Sequence, residues 1–238
     1  MQRALIMGGT SGIGLATART FAGKGIDVVI NGRDEAKCRA VAEELGVTAV
    51  PGDARDDADV RRVIDAADTI DHLVIAVSGG EGGGPFATLD LDTLARAFEA
   101  KFWAHVRVLQ AALDALAPEA SITLVTAGSA RAALPATAGL AAINGALEAM
   151  VGPLAAELAP RRVNAVSPGV VRTPWWNGMP EDDREALFSG FADVLPVRRI
   201  GEPEDVAQAI VLCALNGYMT GTVLDCSGGG QLATASGL

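Results

Sequence analysis

The sequence predicts one α/β domain built on a doubly wound parallel sheet, with helices on both faces. Three observations predict it. Short β-rich runs alternate with longer Ala-rich segments of helical period along the whole chain. Strands separated by helices need crossover connections, which within one sheet are nearly always right-handed and make the strands parallel. Finally, 238 residues, half of them hydrophobic, fit one large core. No linker, repeat or low-complexity tract divides the chain, so a single domain over 1–238 is expected.

The elements follow in order. RALIM (3–7) reads as the first strand, and GIGLATARTFAGKG as a helix ending at Gly25. DVVING (27–32) is the second strand, followed by the helix DEAKCRAVAEELG, closed by Gly46. VTAV is a short strand, DADVRRVIDAAD a helix, and HLVIAVS (72–78) a strand apolar enough to be central. A long helix over about 88–116, the strand SITLVTA, a helix over about 136–158 and the strand RVNAVS come next. PEDVAQAIVLCAL is helical and TVLDCS is the last strand. The irregular segment 174–200 follows a strand end, where ligands sit in such folds, and carries Trp175, Trp176, Met179, Phe188 and Phe191. It reads either as an apolar lid over a small-molecule site or as a surface helix pair.

Composition narrows the partners. Lys and Arg total 19 against 29 Asp and Glu, a net charge of −10. Such a surface repels phosphate backbones and anionic bilayers, so neither nucleic acid nor membrane is expected as a partner. Cys38, Cys213 and Cys226 have no metal-like spacing and read as buried small hydrophobes in a reducing compartment; no metal is expected. The first apolar run is too short for a signal peptide, and Gly, Pro or charge interrupts every longer one. The expected location is the cytoplasm.

MGGTSGIG (7–14) joins the first strand to the first helix. Gly8 allows a tight turn, Gly12 lets a pyrophosphate approach the backbone, and Gly14 lets the helix pack on the sheet. Thr10, Ser11 and Ile13 complete the loop, and the helix N-terminus offers N–H groups and a positive dipole to phosphates. At the end of the second strand an acidic residue would favour NAD, but this chain has Asn31-Gly32-Arg33, with Asp34 one step later. A guanidinium can clamp a 2′-phosphate, so NADP(H) is favoured over NAD(H). Arg33 could instead merely start a solvated helix. Asp53, followed by Ala54, is placed to accept the adenine amino group or to cap the next helix.

Together these residues resemble the short-chain dehydrogenase/reductase family over nearly the whole chain. The resemblance rests on GGTSGIG, on Asp53, on RVNAVSPGVVRT (162–173) and on TGTVLDCSGGG (220–230). It implies a Rossmann domain that binds a nicotinamide dinucleotide, with Pro168, Gly169, Val171 and Thr173 around the nicotinamide. It further implies an oxidoreductase, assembled as a homodimer or homotetramer through the helices near 88–116 and 136–158.

The chain departs from the family at the catalytic positions, normally Asn, Ser, Tyr and Lys. Lys101 stands at the Asn, Ala127 at the Ser, Leu140 at the Tyr and Asn144 at the Lys. The only tyrosine is Tyr218, so no alignment restores Tyr-x-x-x-Lys. The family's Asn-Asn-Ala-Gly after strand four reads Ile75-Ala76-Val77-Ser78. The stretch TAGLAAINGALE (137–148) reads as a small, apolar, buried helix with no side chain that could move a proton. A general acid is worth roughly 10²- to 10⁴-fold, so ordinary carbonyl reduction should be lost.

Two side chains are candidate replacements. Lys101, one helical turn from His105, could reach the emptied pocket, where desolvation would lower its pKa. Ser129 is the better hydroxyl, because Thr126 should point to the opposite face of a regular strand. The duller alternatives are an interface lysine and a turn-capping serine. Ser78 and Glu81 face the ligand edge in the loop SGGEGGG, while Asn164 reads as structural. Two functions remain: an NADP(H)-dependent oxidoreductase with an unusual proton donor, acting on a small apolar substrate, or a nucleotide-binding pseudoenzyme serving as sensor or partner subunit. The blank positions favour the inert frame; a lyase or isomerase has no positive feature behind it.

Overall fold

The computed structural model describes residues 2–233. Seven strands form one parallel sheet in the order β3-β2-β1-β4-β5-β6-β7. They are β1 (Arg3–Met7), β2 (Asp27–Gly32), β3 (Thr48–Pro51), β4 (Ile70–Ile75), β5 (Leu116–Val125), β6 (Arg162–Pro168) and β7 (Val223–Cys226). Strand order reverses between β1 and β4, and at such a switch point a crevice opens beyond the carboxyl ends.

Alternation along each strand sends side chains to opposite faces and builds two cores. Leu5 and Met7 of β1, Leu73 and Ile75 of β4, and Ile122 and Leu124 of β5 pack on one face. Helices α3 (Asp57–Ala67), α5 (Ala104–Ala112) and α6 (Ala138–Glu157) cover it. Ala4, Ile6, Val28, Ile30, Val74 and Val166 face the other side, beneath α1 (Gly12–Ala22), α2 (Glu35–Leu45) and α8 (Pro203–Leu215). Caps fix the helix ends: Asp34 accepts from Lys37 N at α2, and Asp56 accepts from Ala58 N and Asp59 N at α3.

Several boundaries differ from the periodicity. The helix expected over 88–116 starts as α4 (Leu91–Phe98), passes through a π-turn at Glu99–Trp103 and ends with α5 at Ala112. Leu116 instead opens β5 beside Ile70, so strand pairing overrides a helical pattern made of small residues. At its other end β5 stops at Val125, leaving Thr126 and Ala127 outside the strand. β4 stops at Ile75, and 76–78 leave the sheet toward the crevice. The first helix ends at Ala22, with Gly25 (φ 76°) making the turn into β2.

Between β6 and α8, the segment 174–200 holds a 3₁₀ turn (Pro174–Gly178) and α7 (Glu181–Val194). Helix α6 is long and apolar enough to cross a membrane by length and composition, contrary to the sequence expectation. It nevertheless packs on the sheet, with Ile143, Leu147 and Val151 buried. Asn164, fully buried, ties β6 to the following turn by donating to Met219 O and accepting from Thr222 N. Its role is structural, as expected. Cys38 and Cys213 are buried and Cys226 half-buried, all three as free thiols.

Candidate active site

A cavity of about 910 Å³ runs along the carboxyl ends of the central strands, from the glycine turn to the segment after β6. Its first wall is the turn 8–14. A Cβ on Gly14 would lie 2.1 Å from Gly8 O, so α1 can pack this tightly on the turn only with glycine there. Gly8 (φ 84°) lies so close to the Ala76 carbonyl that a Cβ would come within 2.9 Å of its oxygen. Helix α1 has no acidic residue in its first turn, and Ser11 makes no side-chain cap, so its N-terminal N–H groups face the cavity unopposed. An anionic diphosphate fits this cradle.

At the end of β2, Asn31 is buried and donates to Val50 O (3.1 Å) and Gly52 O (3.0 Å), stitching β2 to β3. The Thr10 side chain fills the space over Gly32, where a Cβ would meet Oγ1 at 2.5 Å. Arg33 is exposed on the cavity rim, while the neighbouring Asp34 is engaged as the α2 cap. Asp53 also lines the cavity, but Arg55 grips its carboxylate through Nε and Nη2 (2.6 Å). That bond, aided by the nearby Arg33 charge, holds the Asp53 carboxyl below its ordinary range. The cap of α3 is Asp56, so Asp53 is free of the capping role. Ala54 is buried beside it.

At and beyond the end of β6, Pro168, Gly169, Val171 and Thr173 line the cavity together with Ile13. Gly169 rests on Ser227, whose Cα would lie 2.8 Å from an added Cβ. Thr173 meets the glycine turn itself: a Cβ on Gly12 would stand 3.3 Å from its side chain. Two loops 161 positions apart in the sequence thus close on one another.

Lys101 occupies the π-turn and is 9% exposed. Such turns recur at functional sites, because the extra residue re-aims a side chain. Lys101 lines the cavity, and its Nζ donates to Thr126 O at 3.1 Å, the one acceptor it has among the described residues. Burial lowers its pKa to about 8, against the opposing pull of the Glu148 carboxylate. His105 does not join it. The ring lies outside the cavity lining, with Nδ1 facing Lys101 O (2.8 Å) and Nε2 facing Ile75 O (3.0 Å). Burial and the Lys101 charge lower its pKa to about 3, so the ring is neutral and donates to only one of these carbonyls.

Ser129 lies in the short turn Gly128–Ala130 and lines the cavity. Its Oγ accepts from Asn144 Nδ2 at 3.2 Å, so the hydroxyl proton points to some other acceptor. Asn144 Nδ2 also donates to Leu140 O (2.8 Å), which fixes the amide orientation. Asn144 Oδ1 is then a buried acceptor without a partner among the described residues. Thr126, beyond the end of β5, sends its Oγ1 to Glu148 Oε1 at 3.0 Å.

Glu148 corrects the sequence reading of 137–148. It lies one turn past Asn144, on the face of α6 shared by Leu140 and Asn144. The signal was available: a carboxylate in an otherwise apolar helix, four residues beyond a position already singled out. Arg131 pairs with it at 3.2 Å.

Loop and roof complete the cavity. Ser78 donates to Gly79 O, and Glu81 pairs with Arg96 at 3.4 Å on the rim, so neither presents a free charge inward. Trp175 reaches across the cleft to Gly79 O at 2.8 Å, and Trp176 donates to Val171 O at 3.0 Å. Trp175, Trp176 and Phe191 line the cavity. Met179 and Phe188 do not; Phe188 is buried behind Trp176, under the Arg172 guanidinium. Tyr218 is fully exposed and lies outside the cavity.

A parallel sheet with this strand order and a glycine cradle at its switch point defines a dinucleotide-binding α/β protein. The family model described as enoyl-(acyl carrier protein) reductase matches residues 8–231. The chain belongs to the short-chain dehydrogenase/reductase family. It is 33% identical to the (2S)-[(R)-hydroxy(phenyl)methyl]succinyl-CoA dehydrogenase subunit BbsD of Thauera aromatica, over 96% of each chain. It is 30% identical to the chloroplastic NADPH-dependent aldehyde reductase 1 of Arabidopsis thaliana, over 95% of this chain and 85% of that one. A crystal structure of a small-chain dehydrogenase in complex with NADPH superposes with a TM-score of 0.85 at 33% identity, covering 97% of this chain and 99% of the other.

Proposed function

We propose that this chain is an NADP(H)-dependent oxidoreductase of its family that reduces a small apolar carbonyl compound, with Lys101 as proton donor. One observation carries the reading. Lys101, a buried lysine lining the cleft, has a single acceptor among the described residues, which leaves two of its three ammonium N–H groups to spare.

The cofactor fits residues already described. The turn 8–14 and the start of α1 would hold the diphosphate, Arg33 the 2′-phosphate, and Thr173 the nicotinamide end. Asn144 Oδ1, buried and unpartnered, would accept from a ligand hydroxyl. When bound, NADPH supplies a hydride. Relatives described as NADPH-dependent or bound to NADPH support the phosphorylated cofactor.

Lys101 then gives a proton to the carbonyl oxygen as that oxygen gains charge, and the Ser129 hydroxyl donates a hydrogen bond to the same atom. A pKa of about 8 leaves Lys101 mostly protonated at neutral pH, yet a better acid than an exposed lysine near 10.4. Leu134, Leu140, Ile143, Trp175, Trp176 and Phe191 give the rest of the pocket its apolar character, with 174–200 as its lid.

A specific observation favours a second reading. Ala127, Leu140 and Asn144 stand where the family's Ser, Tyr and Lys are expected, and Lys101 already has Thr126 O and Glu148 as structural partners. In that reading the chain binds cofactor without turnover, as a sensor or partner subunit. Either way the proposal includes a cytoplasmic homodimer or homotetramer, without nucleic acid or membrane partners. Exposed Phe86, Leu91 and Trp103 on and before α4 and α5 support such an interface, and the −10 charge supports the absence of polyanion partners. The test is to titrate NADPH and NADH by fluorescence, then follow NADPH oxidation across a panel of ketones and aldehydes. Turnover supports the first reading, and tight binding without turnover the second.

A further inference from the structure

We infer that Glu148 is a positioning residue of this site, which acts through Thr126 to hold Lys101 as an ammonium at the cleft wall. The inference rests on the reading of Lys101 as the proton donor, and it adds a group that the family's Tyr-x-x-x-Lys pattern does not contain.

The geometry is a short chain of contacts centred on one residue. The Thr126 carbonyl accepts from Lys101 Nζ at 3.1 Å, and its hydroxyl donates to Glu148 Oε1 at 3.0 Å, with Val166 O a longer second acceptor at 3.3 Å. Thr126 is itself pinned, its N–H donating to Val166 O at 2.9 Å, so it cannot follow either side chain. Glu148 is 11% exposed at the side chain, and on its outer side Arg131 closes the chain at 3.2 Å.

Such an arrangement answers a physical problem. A buried ammonium with one neutral acceptor has lost most of its hydration and tends to shed its proton. The surroundings of Lys101 offer little else. On its own helix His105 is held neutral, and Ala76 and Val77 on the β4 side carry no charge. Among the described residues Glu148 from α6 is the one anion whose charge acts on Lys101, and it raises the pKa that burial lowers. Arg131 touches Glu148 rather than Lys101, so it weakens that pull without replacing it.

The test reads Lys101 directly, without turnover. In protein labelled with ¹³C and ¹⁵N lysine, the Lys101 side-chain resonance, assigned by its disappearance in Lys101→Met, is titrated with pH. Glu148→Gln keeps the shape of the side chain and removes its charge, and should lower the Lys101 midpoint by about one pH unit or more. Arg131→Met should raise it, because Glu148 is then uncompensated. Thr126→Val keeps the carbonyl but frees the carboxylate, and should lower it by less than Glu148→Gln. It also stands in if Glu148→Gln fails to fold. An unmoved midpoint in a folded Glu148→Gln or Thr126→Val protein overturns the inference. Midpoints that move as expected in a protein that reduces no carbonyl would leave Glu148 holding Lys101 and remove only the catalytic reading.

Discussion

Lys101 Nζ and Thr126 O meet at 3.1 Å, bridging the π-turn between α4 and α5 to the residue just past the end of β5. The contact fixes where the ammonium stands. It needs both irregularities: the extra residue in the helix that brings Lys101 to the wall, and the early end of β5 that frees the Thr126 carbonyl from the sheet.

The pH dependence of reduction follows from that burial. Lys101, lowered to about 8, must be protonated to act. The reductive rate should be level below that pH and fall about tenfold per unit above it, while the oxidative rate rises over the same range. Steady-state rates from pH 6 to 10 check this; a reductive profile level up to pH 10 contradicts it.

Cofactor choice rests on Arg33. Replacing it by Asp should weaken NADPH binding by roughly tenfold or more, the scale of one charge-assisted contact, and leave NADH binding unchanged. Equal affinity of the unmodified protein for the two cofactors, read by fluorescence titration, would count against the assignment.

His105 makes the fold sensitive to acid. Its pKa is lowered to about 3 in the folded state, against about 6.5 unfolded, so below pH 6.5 the unfolded chain binds a proton that the folded one refuses. Its contribution to stability therefore shrinks as pH falls from about 6.5 toward 3, by at most about 1.4 kcal/mol per unit. Urea midpoints at pH 7, 6 and 5 should decline, and His105→Gln should decline less steeply. Parallel declines in the two proteins would exclude His105 as the cause.

Much of the fold was legible because each strand is apolar on the period its burial demands. The central strands carry apolar runs, ALIM in β1 and LVI in β4, and glycines mark the turn into α1. The start of β5 was not legible. LAPEA is as compatible with the end of a helix as with a strand, and only its pairing with β4 decides. The π-turn has no sequence pattern of its own. In the site, Lys101 is legible from the family's Asn position in the long helix and Ser129 from the end of the fifth strand, and both line the cavity. The grip of Arg55 on Asp53 was hidden because it depends on the geometry of a turn. Glu148 stands one turn past Asn144 on the same face of α6, but only its contact with Thr126 beyond the end of β5 marks it as part of the site.

Lys101→Met tests the central claim most directly. The thioether fills the same buried space without a charge, a change such sites often tolerate or favour. NADPH binding should stay within about twofold of the parent, while single-turnover NADPH oxidation with a reducible ketone falls by roughly 10²- to 10⁴-fold. A Lys101→Met protein that binds NADPH and reduces the ketone as fast as its parent contradicts the account, as does a parent that binds NADPH tightly and reduces no carbonyl at all.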